Sequence, residues 1–542
     1  MDFKAKLKQD WPVALIVAVA AVARLARLSM KPPHFDEGVN GWFVDQMMQH
    51  GYYHYDPTNY HGPFHFYVLF LAQALLGRHI WALRLPLTLL SLAAVIFTLR
   101  FDRFIGRKAA LWAAAAMAVS PGCVFYGRYA IHEYWLVFAL MLCAWGLAGL
   151  WKFGEPKYLW ALWVGLTLAV LTKETYIIHF GCAILAIACA WLLGRISPAA
   201  ETGPTGPTAP QKWTWRQMAL GALLFVGLII FFYSGTFMDW KGLKGLYLTF
   251  SAWAKTGSTG NGHEKAWYYW LKLFGLYEWP SCIGLLVALL CMLPRTPRFI
   301  RALSIYACGA LAAYSIIHYK TPWCIVSLTW PFLLLFGYGV DLATQKFGKY
   351  AAAIANVIAA TVLAVNLCDM VRLNYRRYTD AREPYVYVQT FNDVNKLMKP
   401  LDALIARNPA NYQLIGNIVL DSYHPLPWLL GDFPNIGYYN DDDTPTTMDA
   451  DFLIVEESRI DEVEAGLHDR YFTEDFTLRD AQDPSMLFFS VKKFRSLFPG
   501  RKPGFVPKPA PKPSPTIPPL PSHSPPSSPS SPSPSPIGRP SQ

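Results

Sequence analysis

Apolar runs close to membrane-spanning length recur from Trp11 to Met370, separated by short polar connections. About 20 apolar residues are needed to cross a bilayer as a helix, so this rhythm sets the fold before any motif is considered. Spans are expected near 11–28, 80–99, 109–126, 132–151, 158–172, 176–194, 217–233, 280–293, 301–317, 322–340 and 350–370. The fold class is therefore a polytopic α-helical membrane protein with about eleven transmembrane helices. A mean hydropathy of +0.22 and 53% apolar residues exclude an ordinary soluble enzyme of several domains. The net charge of +11 does not indicate nucleic acid, because Lys and Arg are scattered over connections where they orient the chain in the membrane.

Lys4, Lys6 and Lys8 precede the first run and no small-residue cleavage site follows it, the pattern of an uncleaved signal anchor. With the N-terminus cytoplasmic, the inner connections and the N-terminal tail hold about 17 Lys/Arg, against about 10 on the longer outer connections. The expected location is thus the inner (plasma) membrane, multi-pass. The segment Phe64–Gly77 is short for a span and reads as an interfacial or re-entrant helix; as a true span it would turn the basic loops outward. All nine cysteines lie in or beside apolar runs, so neither a disulfide framework nor a Cys-based metal site is indicated.

Residues 1–370 form the expected transmembrane domain, with 29–79 as the first outer loop and the Pro/Gly/Thr-rich 195–216 as a cytoplasmic disordered linker. From 371 to 498 the chain becomes polar, and a small extracytoplasmic α/β domain is expected. QLIGNIVLD (413–421) and DFLIVEE (451–457) read as buried strands, FNDVNKLMKPLDALIARNP (391–409) as an amphipathic helix, and YFTEDFTLR (471–479) with MLFFSVKKF (486–494) as a closing pair of strands. Residues 499–542 are a Pro/Ser-rich tail that cannot bury a core.

The topology gathers the chemically useful residues on one surface. After the first span come Asp36 and Glu37, followed by aromatic and histidine residues including His61. GRYAIHE brings Arg128, His132 and Glu133; TKET brings Lys173 and Glu174; YEWP brings Glu278 and Trp279; HYKTPW brings His318, Lys320 and Trp323. Such a set suits an anionic, lipid-linked substrate: cations hold phosphate, carboxylates do acid/base or metal work, and aromatics face lipid or sugar. Each piece also has a plainer role. Lys173, Trp279 and Trp323 are ordinary interfacial anchors when taken singly, Glu174 pairs with Lys173, Glu278 is a solvated helix end, and His34, His61 and His132 are structural hydrogen-bonding groups or metal ligands. The adjacent carboxylates Asp36 and Glu37 at the mouth of a span are costly there and point to function. Arg24 and Arg27 run against the inside rule and either snorkel or partner acidic groups.

FDEGVNGWF, YHGPFHFY, GRYAIHE, LTKET, YEWP, HYKTPW and YHPLPWLLGDFPNIGYY (423–439) together resemble the GT-C superfamily of integral-membrane glycosyltransferases. This superfamily includes the dolichyl-phosphate-mannose protein mannosyltransferases and lipid A aminoarabinose transferases. Within it the chain looks most like a bacterial and archaeal flippase-activity-associated family, over roughly residues 10–495. The resemblance implies that Asp36 is the general base on an acceptor hydroxyl, supported by Glu37. It implies that Arg128 and Glu133 are substrate groups on the second outer loop, and that Lys320 binds the phosphate of a polyprenyl-phosphate sugar donor. Glu133 stands where the family more often has Asp. Glu37, Glu133 and His132 are the candidates should a divalent metal (Mg, Mn or Zn) be a cofactor. The implied partners are the lipid-linked donor, membrane lipids, and an envelope glycan, lipid or protein acceptor. The competing expectation is a non-catalytic accessory protein for translocation or assembly of lipid-linked saccharides. A transporter would place its ionisable residues at mid-membrane within broken helices, whereas these lie at the boundary.

Overall fold

The structure, a computed structural model, describes residues 3–508 except 197–211, 260–261, 293–295, 347, 441–442 and 481. Most of the expected linker, residues 197–211, and the tail from 509 onward lie outside the described residues. Among the described residues, seven helices are long and apolar enough to cross a membrane: Ile80–Ile105, Glu133–Phe153, Tyr176–Arg195, Trp215–Tyr233, Arg298–Ile316, Pro322–Lys346 and Gly348–Tyr375. Phe64–Leu76, Pro156–Thr172 and Trp279–Cys291 are apolar but shorter. The 322–346 helix is the most enclosed of the seven, packed between 107–119 and 279–291.

The expected span 109–126 is not one helix. It breaks into Arg107–Val119 and Pro121–Tyr126, because Pro121 offers no N–H to a continuing helix. Ser120 turns extended there and caps the second piece by accepting from the Cys123 amide at 3.1 Å. The first helix, α1 (Phe3–Leu25), stops short of the expected Leu28. Its terminal carbonyls are collected by Arg128, which donates to Ala23, Arg24, Ala26 and Arg27. Arg24 returns the service by donating to Met117 and Ala118 at the end of the 107–119 helix. Both arginines are therefore helix-end caps, where a cation meets the negative end of the helix dipole.

The segment 29–79, expected as the first outer loop, is not a loop throughout. It contains α2 (Phe35–His50), followed by α3 (Phe64–Leu76) and α4 (Ile80–Thr98). His34 and Glu37 form a reciprocal capping box at the start of α2.

The C-terminal domain has a five-stranded sheet: β1 (Ile415–Val419), β2 (Asn435–Tyr439), β3 (Phe452–Glu456), β4 (Tyr471–Phe476) and β5 (Ser485–Ser490). The order is β2-β1-β3-β5-β4, with β1 parallel to both neighbours and β5 antiparallel to β3 and β4. The helix Val394–Arg407 buries Leu397, Leu401 and Leu404 in the core beside it. β2 escapes the sequence pattern because none of its residues is fully buried.

This domain rests on α2 through the PLPW turn. A Cβ on Gly38 would lie 2.3 Å from Pro425 Cα, and one on Gly41 would lie 2.5 Å from the Trp428 ring. The two glycines are one helical turn apart, so they open a flat strip along α2 for that turn. Arg78 fastens the contact, binding Asp45 of α2, Asp432 and the Trp428 carbonyl.

Candidate active site

Asp36 sits in the first turn of α2, where a helix dipole favours a carboxylate. The Asp36 amide donates to His34 Nδ1 at 3.1 Å, and His34 Nε2 bonds the Tyr387 carbonyl at 2.9 Å. The Asp36 carboxylate lies 3.9 Å from the same His34 Nδ1. The Asp36 side chain is 35% exposed and looks into a cavity. Among the described residues, no side chain donates a hydrogen bond to its carboxylate oxygens.

Glu37, one residue on, has the opposite environment. Arg84 Nε and Nη2 donate to its two oxygens at 2.8 and 2.6 Å, and the His34 and Ala130 amides donate at 2.9 and 2.8 Å. Burial alone would push its carboxyl up; the Arg84 guanidinium and these bonds instead hold it below the usual carboxylate range. Glu37 is therefore a buried anchor that fixes the start of α2.

The cavity, about 500 Å³, is two-natured. Its lining combines Asp36, His61, Lys173, Glu174, Thr175 and His318 with the apolar and aromatic side chains of Ile178, Trp253, Trp270, Tyr314 and Ile317. A recess of about 40 Å³ adjoins it, formed by Asp36, Asn40, Asn59, His61, His132, Glu133 and Lys173, with Trp323 bordering both. Within the recess Lys173 Nζ meets Glu133 at 2.9 Å and Glu174 at 3.7 Å, and His61 Nδ1 meets Glu174 at 2.8 Å. Burial works against the Lys173 ammonium, but the Glu133 and Glu174 carboxylates outweigh it and keep the lysine charged. Desolvation pulls His132 well down, so it is neutral.

Local sequence explains this meeting. Lys173 and Glu174 follow directly on the helix Pro156–Thr172. Gly62 packs on that helix end, its amide donating to the Thr172 carbonyl at 3.1 Å. A Cβ at Gly62 would lie 2.2 Å from the Leu171 carbonyl. Only glycine allows the YHGP turn so close, and the turn carries His61 onto Glu174.

The structure thus brings together Asp36, His61, His132, Glu133, Lys173, Glu174, His318 and Trp323 of the residues expected from sequence. Four others stand outside the lining. Glu37 is spent on Arg84. Arg128 caps α1. Lys320 turns its ammonium onto the Ile317 and Lys265 carbonyls, closing the end of the 298–316 helix. Glu278 is no solvated helix end: it is fully buried and accepts from Ser120 at 2.7 Å and the Gly122 amide at 2.7 Å. The metal candidates do not form a donor set either. Glu37 has no free oxygen, Glu133 faces Lys173, and the His132 ring lies tilted between those of His61 and His65, with centroids at 4.3 and 4.0 Å. Among the described residues, no three His, Cys, Asp or Glu side chains converge on a point.

Arg84 was not singled out from the sequence, although an arginine inside an apolar span is itself a signal. Asn40 and Asn59 carry no such signal; only the fold places them in the recess.

Residues 60–198 match the family described as dolichyl-phosphate-mannose-protein mannosyltransferase. The fold is similar to that of ArnT from Cupriavidus metallidurans, solved bound to undecaprenyl phosphate, with a TM-score of 0.60 and 16% identity over 88% of this chain and 98% of that one. The apo structure of the same protein matches with a TM-score of 0.57 and 16% identity, over 89% and 98% of the two chains. No curated protein matches the chain in sequence. The fold shared with ArnT is a multi-pass helical membrane architecture, here with a small C-terminal sheet domain.

Proposed function

We propose that this chain is a GT-C membrane glycosyltransferase that moves a sugar from a polyprenyl-phosphate donor to an acceptor hydroxyl. The observation that carries this reading is one cavity lined both by the apolar and aromatic Trp253, Trp270, Tyr314 and Ile317 and by the charged Asp36 and Lys173, which it shares with the adjoining recess. A ligand with a long hydrocarbon tail and a sugar-phosphate head has that same combination. The mannosyltransferase match and the undecaprenyl phosphate bound by the ArnT of similar fold support the same donor class.

In the proposed step Asp36 takes the proton from the acceptor hydroxyl as its oxygen attacks the anomeric carbon. The bond from that carbon to the phosphate oxygen breaks, and the lipid phosphate leaves with the electron pair. An unpaired, half-exposed carboxylate suits the base role; a carboxylate saturated with donors, as Glu37 is, does not. Lys173, held charged by Glu133 and Glu174, is positioned to meet the phosphate, in place of the Lys320 expected from sequence. The displacement inverts the anomeric configuration. We place the recess and the C-terminal domain on the extracytoplasmic side of the inner membrane, with the N-terminus cytoplasmic, from the distribution of Lys and Arg.

The test is reconstitution of the purified protein in liposomes with polyprenyl-phosphate sugars and an envelope extract as acceptor. Release of polyprenyl phosphate with an inverted product supports the reading. Retained configuration, or lipid-sugar scrambling with no cleavage, overturns it.

A further inference from the structure

Resting on Asp36 as the base, we infer that Arg479 of the C-terminal domain is a positioning residue that aims Asp36 through Phe35. The guanidinium of Arg479, 5% exposed, lies 4.9 Å from the centroid of the Phe35 ring. The His424 ring meets the same phenyl ring edge-on at 5.4 Å. Arg479 also donates to the carbonyls of Ser422 and His424, so one cation holds both the His424 loop and the ring it packs against. Phe35 is the first residue of α2 and Asp36 the second.

A backbone connection reaches the same place independently. His34 pairs antiparallel with Gln389, and Thr390 pairs antiparallel with Arg479. The Phe391 amide adds a bond to the Leu478 carbonyl at 2.8 Å. The residue before Phe35 is therefore tied by backbone, through 389–390, to the segment that carries Arg479. Glu37 is fixed from the other side by Arg84. Asp36 lies between a membrane-side anchor and a clamp from the C-terminal domain, and among the described residues no side chain hydrogen-bonds its carboxylate to orient it. A base so placed keeps its reach to the acceptor only while its neighbours hold still, and misplacement by about 1 Å costs on the order of a hundredfold in rate.

The test is steady-state kinetics on the full-length protein in liposomes. Arg479→Met is expected to lower kcat by about ten- to a hundredfold while the donor KM moves less than about twofold, because the recess itself is untouched. Arg479→Lys, which keeps a cation over the ring, recovers part of the loss. Phe35→Leu, on the other side of the contact and itself part of the cavity lining, gives the same kcat defect, and the double variant has no lower kcat than either single one. Should Arg479→Met fail to insert or fold, Phe35→Leu and Arg479→Lys decide the matter. Wild-type kcat in folded Arg479→Met or Phe35→Leu, a change in KM alone, or additive losses in the double variant overturns the inference. Asp36→Asn is assayed alongside. An active Asp36→Asn removes the base beneath the inference, whereas an inactive one beside a fully active Arg479→Met removes only the clamp.

Discussion

Glu37 and Arg84 form a two-pronged ion pair, Oε1–Nε at 2.8 Å and Oε2–Nη2 at 2.6 Å, with side chains 0% and 1% exposed. Asp36, its neighbour in sequence, is left open to the cavity. The two halves of an acidic couplet therefore have separate surroundings, one holding the helix and one facing the cavity.

Removing one partner of such a pair strands a buried charge, at a cost of about 3–5 kcal/mol. Glu37→Gln and Arg84→Met should each lower the melting temperature sharply in detergent, and the double variant Glu37→Met/Arg84→Met should lose less than their sum. The Glu37 carboxyl is held below its ordinary range, so its stabilisation is complete above the unfolded value and is lost as pH falls through the folded one. Wild type should therefore lose more stability on acidification than Glu37→Gln does, measured by thermal melts across acid pH.

Lys173 and Lys320 should part company. Lys173→Met is expected to weaken the donor by about tenfold or more, since hydrogen bonds between charged groups are worth about 1.5–3 kcal/mol. Lys320→Met should leave donor affinity nearly unchanged and lower the melting temperature, because its ammonium serves the Ile317 and Lys265 carbonyls. Binding of polyprenyl phosphate to the two variants separates the roles.

Gly38→Val should unseat the C-terminal domain from α2. A Cβ there would overlap Pro425, whose Cα and Cβ would both be 2.3 Å away. Limited proteolysis should then cut the segment near 380–390 faster than in wild type, while the sheet domain itself stays folded. Gly275→Ala serves as the control, since nothing lies within 4 Å of a Cβ at that site; it should leave the cleavage rate at 380–390 unchanged.

Burial pushes the Glu278 carboxyl up to about 7, against the pull of Ser120 and the Gly122 amide. A raised carboxyl contributes most while protonated. Its contribution is present below the unfolded value of about 4.3 and declines as pH rises through about 7. Wild type should thus lose up to about 3 kcal/mol of stability between pH 5 and 8 relative to Glu278→Gln, read from melts at the two pH values.

The helices and the charged boundary were legible in the sequence because hydropathy and the cost of intramembrane charge act locally. The same holds for β1 and β3, which are continuous buried runs, and for the 394–407 helix, whose buried Val394, Leu397, Leu401 and Leu404 recur at helical spacing. What sequence could not supply was direction. Asp36 and Glu37 look equivalent in a row, and only the fold turns one onto Arg84 and the other into the cavity. Arg128, Glu278 and Lys320 stand beside chemically suggestive neighbours, yet each satisfies a helix end or a buried amide that no motif records. The break at Ser120–Pro121 was visible as a proline, but an apolar run masks it. β2 was hidden because its half-exposed residues give no alternation.

The central claim is that Asp36 removes the acceptor proton in a sugar transfer from a lipid phosphate. Its most direct test is transfer of labelled sugar by reconstituted Asp36→Asn beside wild type, with insertion and melting temperature matched. The account predicts that Asp36→Asn still binds polyprenyl phosphate and transfers no sugar above background. Transfer by Asp36→Asn at the wild-type rate would contradict it.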